Sequence, residues 1–313
     1  MSTALSPPAI PNGLAAGLLA WYGRNARDLP WRHTADAYAI LVAEVMLQQT
    51  QVERVVPKYG QFLAAFPTLE ALAAAALGDV IRAWAPLGYN GRAVRLHRLA
   101  QLVVQEYGGR LPCTMGELLR LPGLGPYSAA AVACFAFGAA VPVLDTNVYR
   151  VLSRVAWGMT PPPKRAIVEL DRQWLPPEHA SAWHQALMDV GATLCTVARP
   201  GCLLCPLRPH CLAAPHLQDG ASRRLAESSV PYAPKQPQFA DSPRYYRGRV
   251  VDALRRLPAG SSVGLAELGR TVRPGFDPEQ HTKWLRELLA GLEKDGLVLL
   301  SADANGTVRV SLP

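Results

Sequence analysis

Apolar residues recur at three- and four-residue spacing along residues 13–220, and the strict alternation that is typical of strands is scarce there. This pattern predicts a mainly α-helical chain. The clearest helical segments are residues 37–49, 69–76, 92–107, 115–120, 127–137, 147–156 and 180–194. Glycine and proline residues, among them Pro57, Gly88, Gly108 and Pro142, are predicted to separate these segments.

The pattern changes beyond residue 220. Residues 221–241 are rich in serine, proline, arginine and glutamine, which is typical of a linker. Three helical segments follow, at 245–256, 265–270 and 281–295, and then two strand-like runs, at 297–300 and 307–312, with Asn305-Gly306 as the turn. Three helices and a terminal hairpin describe a winged helix, which binds DNA in some proteins and other proteins elsewhere. We therefore predict a helical domain at 1–220 and a winged-helix-like domain at 242–313.

The charge of the chain indicates an anionic partner. The 313 residues carry a formal net charge of +8, which favours nucleic acid, although a basic protein without such a partner is the alternative. No stretch approaches eighteen consecutive apolar residues, and no basic leader precedes the first apolar segment. The six cysteines do not resemble a secreted disulfide framework. We expect no membrane span and a reducing cytoplasm.

Four cysteines form the run C-x6-C-x2-C-x5-C, namely Cys195, Cys202, Cys205 and Cys211. Structural zinc sites usually take their ligands as two close pairs, whereas only Cys202 and Cys205 are close here. The compact loop suits a cubane iron–sulfur cluster, with zinc or disulfides as alternatives. The remaining cysteines, Cys113 and Cys134, stand among apolar residues and are predicted to be buried.

The string LPGLGP, residues 121–126, lies between two helical segments. Gly123 and Gly125 let the backbone turn tightly, and Pro126 suits the first turn of the next helix. Exposed N–H groups at a helix start can hold a phosphate. The string indicates a helix-hairpin-helix motif that grips the DNA backbone, with an ordinary helical hairpin as the alternative.

Two carboxylates stand in notable positions. Glu44 is the one charged residue of YAILVAEVML, residues 38–47. Burial of a carboxyl group raises its pKa and lets it donate a proton near neutral pH; the alternative is a carboxylate at the exposed edge of the helix. Asp145 follows apolar residues and precedes a helical segment, so it is either a simple N-cap or a functional group.

These features together resemble the helix-hairpin-helix DNA glycosylases that carry an iron–sulfur cluster, and residues 25–215 look like their adenine-glycosylase branch, the MutY family. The matching strings are LPWR (29–32), AEVMLQQTQV (43–52), LGY (87–89), LPGLGPYSAAAV (121–132), LDTNVYRVLSR (144–154), ALMDVGATLC (186–195) and the cysteine loop at 195–211. The resemblance implies a two-lobed fold and favours a [4Fe–4S] cofactor on the four cysteines over zinc.

The resemblance also implies catalytic roles. Glu44 matches the general acid that protonates the departing purine, and Asp145 matches the carboxylate that stabilises the positive sugar. Tyr127 stands where lyase-competent relatives carry lysine, and because a hydroxyl cannot form a Schiff base, it implies a monofunctional glycosylase. Asn147 is expected to support the attacking water or Asp145. A cleft between the lobes is expected to hold Glu44, Asp145 and Tyr127.

The resemblance also implies which residues contact DNA. The target base must leave the double helix to be reached, so residues that enter the duplex and a pocket that receives the base are both needed. Gln48, Gln49 and Thr50 match the loop that faces the opposite base, and Tyr89 matches a wedge residue. The hairpin contributes Leu121, Gly123 and Gly125, and the base pocket contributes Trp31, Arg32 and Asp189.

The sequence departs from the family at three points. Asn90 replaces the second tyrosine of the usual GYY, and Asp189 stands where glutamate is more common. The C-terminal segment resembles a winged helix rather than the larger Nudix-like domain of familiar members. Its basic residues are predicted to add DNA affinity, with packing on the catalytic domain as the alternative; they are Arg244, Arg247, Arg249, Arg255, Arg256, Lys283 and Arg286.

The function implied is removal of adenine mispaired with 8-oxoguanine or guanine by a monomeric, nucleoid-associated enzyme that binds mismatched or damaged duplex DNA. One alternative is a glycosylase for thymine or uracil opposite guanine. Another is a damage-sensing DNA-binding module without strong activity.

Overall fold

The computed structural model describes residues 7–218 and 239–313, and these residues are mostly helical with one small sheet near the C-terminus. The mainly α prediction is confirmed. Within the described ranges, no helix is long and apolar enough to cross a membrane. Most of the predicted linker, 221–241, lies outside the described residues.

The helices follow the predicted segments closely. They are α1 (Leu14–Asn25), α2 (Ala37–Leu47), α3 (Val52–Ala65), α4 (Leu69–Ala74), α5 (Leu77–Ala83), α6 (Gly91–Tyr107), α7 (Met115–Leu118), α8 (Pro126–Phe137), α9 (Thr146–Trp157), α10 (Lys164–Trp174), α11 (Ala180–Thr193), α12 (Ala214–Gln218), α13 (Pro243–Arg255), α14 (Leu265–Val272) and α15 (Pro278–Lys294). Short polar side chains fix several starts, because Thr68, Asp145, Ser242 and Asp277 each accept a backbone N–H from the first turn.

The predicted helix break at Pro57 is wrong, because α3 continues through it from Val52 to Ala65. A proline inside a helix removes one hydrogen bond, here the bond to the carbonyl of Glu53. Pro57 and Glu53 are both exposed. Water can therefore reach that carbonyl, and the helix tolerates the proline.

The described residues form two compact units. The first, which we call the Asp145 unit, comprises residues 7–37, Cys113–Met115 and residues 125–218. Its core joins α1 to α8, α9, α10 and α11, and Leu14 and Leu18 of α1 are almost fully buried in it. The N-terminal helix therefore packs on residues beyond 146.

The second unit, which we call the Glu44 unit, comprises Tyr38–Pro112, Gly116–Leu124 and residues 239–313. Its C-terminal part contains α13–α15 and a sheet of β1 (Val263–Gly264), β2 (Leu299–Ala302) and β3 (Val308–Ser311). The strands are antiparallel in the order β1-β3-β2, with Val310 opposite both Val263 and Leu300. The predicted three helices and hairpin are present, and β1 adds a short third strand.

The core of these C-terminal elements includes residues from α5 and α6. Ile81 and Val94 are buried in the same apolar cluster as Val250, Val251 and Leu254 of α13. The C-terminal elements therefore share a hydrophobic core with the α5–α6 region.

Candidate active site

Glu44 lies on α2, where every residue from Tyr38 to Met46 is buried. Its own side chain is 5% exposed. The alternative of a carboxylate at an exposed helix edge is therefore wrong. Placing a carboxyl group in such apolar surroundings is costly, which is a common mark of a functional acid.

Arg92, at the start of α6, holds the end of the helix that carries Glu44. Its guanidinium donates to the carbonyl oxygens of Val45 (3.0 Å), Met46 (2.8 Å) and Gln48 (2.5 Å) and to Thr50 Oγ1 (2.9 Å). Burial lowers the pKa of Arg92 to about 10, so the group remains charged at neutral pH. Arg92 therefore fixes the predicted opposite-base loop at Gln48–Thr50 to the end of α2.

The same guanidinium holds the turn that carries the predicted wedge. It donates to the Gly88 carbonyl at 3.1 Å and more weakly to the Tyr89 carbonyl at 3.4 Å. It also lies 5.6 Å from the centroid of the Tyr89 ring and 5.2 Å from that of Trp84. Sequence reasoning missed Arg92; an arginine at the start of an amphipathic helix beside the LGY string was its only signal.

The backbone at the predicted DNA-facing residues is strained. Gln49 has φ 56° and Tyr89 has φ 45°, a region that non-glycine residues rarely adopt. Tyr89 is also 43% exposed although its ring is large and apolar. Strained backbone persists where the surroundings hold it in place, and such positions cluster at ligand-binding sites.

The hairpin string forms the predicted turn between α7 and α8. Gly123 has φ 88°, and a Cβ there would meet Cβ of Arg95 at 3.0 Å, so both conformation and space require glycine. Gly125 is the N-cap of α8, and Pro126 is its first residue. Leu121 is only 2% exposed, so its contribution to a DNA contact is limited to its backbone.

Asp145 is both the N-cap of α9 and the centre of a polar network. Its Oδ1 accepts from the Val148 N–H at 2.6 Å, and its Oδ2 accepts from Asn147 Nδ2 at 3.0 Å. Burial raises the pKa of Asp145 above its ordinary value, while these hydrogen bonds and the charge of Arg150 oppose the shift. Tyr127 packs, half-buried, against the apolar core of the same unit.

The network continues from Asp145 to the first cysteine of the loop. Asn147 Oδ1 accepts from Arg150 at 2.7 Å, and Arg150 in turn donates to the carbonyls of Gly191 (2.7 Å) and Cys195 (2.7 Å). Gly191 makes this approach possible, because a Cβ there would lie 2.5 Å from Cβ of Asn147. The candidate catalytic carboxylate and the cysteine loop are thus linked through two side chains.

The four cysteines of the loop line one cavity, and the empty space in and around it is about 350 Å³, part of which is open solvent. Its other walls are mainly apolar and include Val151, Val155 and Leu207. Arg154 donates to Cys195 Sγ at 3.2 Å, as is common beside a thiolate ligand. In the ranges that the structure describes, no group of three or more histidine, cysteine or acidic side chains has the close geometry that a single metal ion requires.

Burial raises the pKa of the Cys202 thiol above its ordinary value. Burial raises the pKa of Cys205 to about 12 and that of Cys211 to about 11. A thiolate in such a place needs a cationic centre to offset its charge. Of the two remaining cysteines, Cys134 is buried as predicted, but Cys113 is exposed, so its predicted burial is wrong.

Comparison with known proteins agrees with these features. The model of the HhH-GPD superfamily of base excision DNA repair proteins matches residues 42–177. An adenine DNA glycosylase of Mycolicibacterium smegmatis is 40% identical, over 91% of this chain and 92% of that protein. The human adenine DNA glycosylase is 42% identical, over 71% of this chain and 43% of its own length.

The chain belongs to the MutY family of helix-hairpin-helix DNA glycosylases. It is a DNA N-glycosylase of base excision repair, and DNA is its partner.

Solved structures agree with this membership. A thermostable thymine-DNA glycosylase superposes with a TM-score of 0.59 at 30% identity, covering 64% of this chain and 95% of its own. An endonuclease III–DNA complex has a TM-score of 0.55 at 24% identity, covering 64% of this chain and 93% of its own, and it supports the fold alone.

In this MutY-family chain, the predicted pocket residues Arg32 and Asp189 form a buried ion pair. Arg32 binds both carboxylate oxygens of Asp189, at 2.7 and 2.8 Å, and Arg27 adds a bond at 2.6 Å. Burial acts to raise the pKa of Asp189, but the bonds from the two arginines outweigh it and hold the pKa below its ordinary value. Trp31 is 7% exposed. Asp189 is thus an anionic anchor for two arginines, and its contact with a base stays a prediction.

Arg27, Arg150 and Arg154 are further residues that sequence reasoning missed. Arg150 and Arg154 are four residues apart on α9 and so share one helix face, which also meets the cysteine loop. That spacing was the available signal. For Arg27, whose partner Asp189 is distant in sequence, the sequence alone offers no comparable signal.

Proposed function

We propose that this glycosylase hydrolyses the N-glycosidic bond of adenine paired with 8-oxoguanine or guanine in duplex DNA. The observation that carries the proposal is Glu44, a 5% exposed carboxyl on an otherwise apolar helix whose end Arg92 fixes to the Gln48–Thr50 loop. Adenine is favoured over other bases because the mycobacterial relative, matched over 92% of its length, is an adenine DNA glycosylase.

Glu44 would protonate the departing adenine, because a poor leaving group needs a proton as its bond to the sugar breaks. Asp145 would stabilise the positive charge that develops on the sugar, and its hydrogen bonds from Val148 and Asn147 hold it in position for that role. Gln49 and Tyr89 would fill the space that the extruded base leaves. Trp31 and Arg32 would line the pocket that receives it.

The four loop cysteines would hold a [4Fe–4S] cluster. Their side chains fit it, since all four line one cavity among mainly apolar neighbours. Iron and sulfide determination on anaerobically purified protein tests this, together with visible absorption. Equal amounts of iron and sulfide are expected, and stoichiometric zinc without sulfide would refute the assignment.

The function is tested by single-turnover assays on duplexes that carry adenine, thymine, uracil or hypoxanthine opposite guanine or 8-oxoguanine, followed by alkali. Adenine opposite 8-oxoguanine should be cleaved fastest. The second candidate, thymine or uracil excision opposite guanine, has support from the likeness to the thermostable thymine-DNA glycosylase. Selective release of thymine or uracil would favour that candidate.

The same duplexes test the absence of lyase activity, which Tyr127 implies. A tyrosine has no amine to form a Schiff base. Strands should stay intact until alkali is added, and borohydride should trap no covalent complex. Efficient trapping would contradict the monofunctional assignment.

A further inference from the structure

Arg255, the last residue of α13, reaches from the C-terminal elements to the segment before α6. Its Nε donates to the Ile81 carbonyl at 3.0 Å, and one terminal nitrogen donates to Asn90 Oδ1 at 2.8 Å. The other terminal nitrogen binds Asp252 at 2.8 Å. The side chain is only 9% exposed, so it is not available as a phosphate contact, contrary to the sequence prediction for this residue.

Asn90 is directly next to Tyr89, the strained and exposed residue predicted to enter the duplex. The Tyr89 carbonyl accepts the Arg92 N–H at 2.9 Å and the Asn90 carbonyl accepts the Ala93 N–H at 3.0 Å, so this turn leads directly into α6, whose N-cap is Asn90. A non-glycine residue with positive φ costs about 1–3 kcal/mol and needs support from its surroundings. Arg92 supplies support through the Tyr89 carbonyl and ring, and Arg255 supplies it through the Asn90 side chain.

Packing fixes Arg255 in this place. Ile81 and Val94 share the apolar core of α13, as described above. Pro313 also lies close to α5, because a Cβ at Gly78 would lie 2.5 Å from the Pro313 carbonyl. The shared core therefore holds the main chain of α13 against α5 and α6, and Arg255 reaches Asn90 from that fixed base.

We propose that Arg255 is a positioning residue that couples the C-terminal elements to the Tyr89–Asn90 turn and so sets how Tyr89 enters the duplex. Asn90, which departs from the family's usual tyrosine, is the acceptor that this arrangement requires. The C-terminal elements then influence opposite-base discrimination without touching the base. This inference rests on the proposed function, because that proposal assigns Tyr89 to the base stack.

The test uses the full-length protein, four single variants and one double variant. Arg255→Lys keeps the charge but loses the forked contact with Asn90 and Ile81, and Asn90→Ala removes the acceptor. Arg270→Ala is the matched control, because it removes an exposed positive charge of the C-terminal elements that lies on α14. Tyr89→Ala is the positive control for loss of the wedge. Thermal unfolding and the visible absorption of each variant confirm that it is folded.

Two quantities are measured on mismatched duplexes. The first is the fluorescence of a 2-aminopurine placed beside the mismatch, which rises when the base stack is opened. The second is the ratio of single-turnover rates for adenine opposite 8-oxoguanine and opposite guanine. Arg255→Lys and Asn90→Ala should each reduce the fluorescence rise towards that of Tyr89→Ala and lower the ratio about tenfold, as expected for loss of one charge-assisted hydrogen bond. Arg270→Ala should change neither quantity.

The double variant Asn90→Ala/Arg255→Lys should be no worse than Arg255→Lys alone, because the contact between residues 255 and 90 is already lost in that variant. Additive losses, or wild-type fluorescence and ratio in folded Arg255→Lys and Asn90→Ala, would overturn the proposal. If the wild type releases no adenine from any duplex, the proposed function fails, whereas the fluorescence comparison still reports whether Arg255 positions the wedge.

Discussion

Two buried arginines support the candidate catalytic machinery, one in each unit, and they support different kinds of structure. Arg92 holds the backbone beside Gln49 and Tyr89, both of which have positive φ angles. Without these contacts, we expect both residues to relax to negative φ. Arg150 holds Asn147 beside Asp145, at the start of a regular helix whose N-cap bond forms without it. The comparison suggests that Arg92 maintains a strained conformation, whereas Arg150 orients side chains on an already stable helix.

Glu44→Gln should have the largest effect on activity. Glutamine keeps the size and much of the hydrogen bonding but removes the proton, and loss of general acid catalysis costs about 10²–10⁴-fold. Single-turnover excision measures the loss, while Kd for the mismatched duplex should stay close to that of the wild type. Near wild-type turnover would show that Glu44 is a structural carboxylate. Because Glu44→Gln leaves Arg92 and Arg150 in place, its loss of rate reports proton transfer alone and not the positioning by the two arginines.

Arg92→Met should destabilise the protein more than Arg150→Met does. The first leaves several buried carbonyl oxygens without a donor, at a cost on the order of 4 kcal/mol, whereas the second removes fewer contacts and should cost about 2 kcal/mol. Chemical denaturation followed by circular dichroism measures both. Equal costs would contradict the distinction between the two arginines.

The activities of these two variants sharpen the same comparison. A folded fraction of Arg150→Met should bind mismatched DNA with near wild-type affinity but excise slowly, because Asn147 no longer orients Asp145. A folded fraction of Arg92→Met should lose the opening of the base stack. If Arg150→Met instead lost the opening of the base stack, and Arg92→Met only excised slowly, the two arginines would not act through the elements that they contact.

Removal of residues 239–313 should destabilise the remaining chain, because Ile81 and Val94 lose part of the core they share with α13. Exposure of two aliphatic side chains costs on the order of 3 kcal/mol. Thermal unfolding of the truncated protein measures the loss. The control is Ile81→Ser in the truncated chain. Because residue 81 faces water there, this substitution should lower the unfolding midpoint of the truncated protein only slightly. An unchanged midpoint after truncation would show that the C-terminal elements are independent.

The sequence predicted what local patterns encode. The positions of most helices follow from apolar periodicity, and the N-cap role of Asp145 and the turn at Gly123 follow from residue type. It could not predict contacts between residues distant in the chain, such as Arg92 with Val45 or Arg255 with Asn90. A buried arginine and a surface arginine look alike in a sequence, because burial depends on what the rest of the chain places around them. For this reason the sequence favours a DNA contact for Arg255 over packing, whereas the structure packs it against Ile81 of α5 and Asn90 at the start of α6.

Asp145→Asn should show the smallest effect on stability, and its sign should depend on pH. Burial raises the pKa of Asp145 in the native state, so the folded protein holds this proton more tightly than the unfolded chain does. As the pH rises from about 4, the unfolded chain ionises first, and the wild type loses stability until the pH passes the native pKa. Asparagine caps a helix about as well as aspartate and does not titrate.

The difference in Tm between Asp145→Asn and the wild type should therefore move in favour of the variant between about pH 4 and neutral pH. The amide of the variant contacts Asn147 more weakly than the carboxylate does, which shifts the difference in Tm by a constant amount at every pH. The change of that difference with pH is therefore the informative quantity, and not its sign at one pH. Thermal unfolding at closely spaced pH values measures it, and Asn147→Ala, which keeps the carboxyl, should retain a wild-type direction of pH dependence. A flat difference across the range would contradict the raised pKa, and would mean that the bonds from Val148 and Asn147 and the charge of Arg150 offset the cost of burial in full.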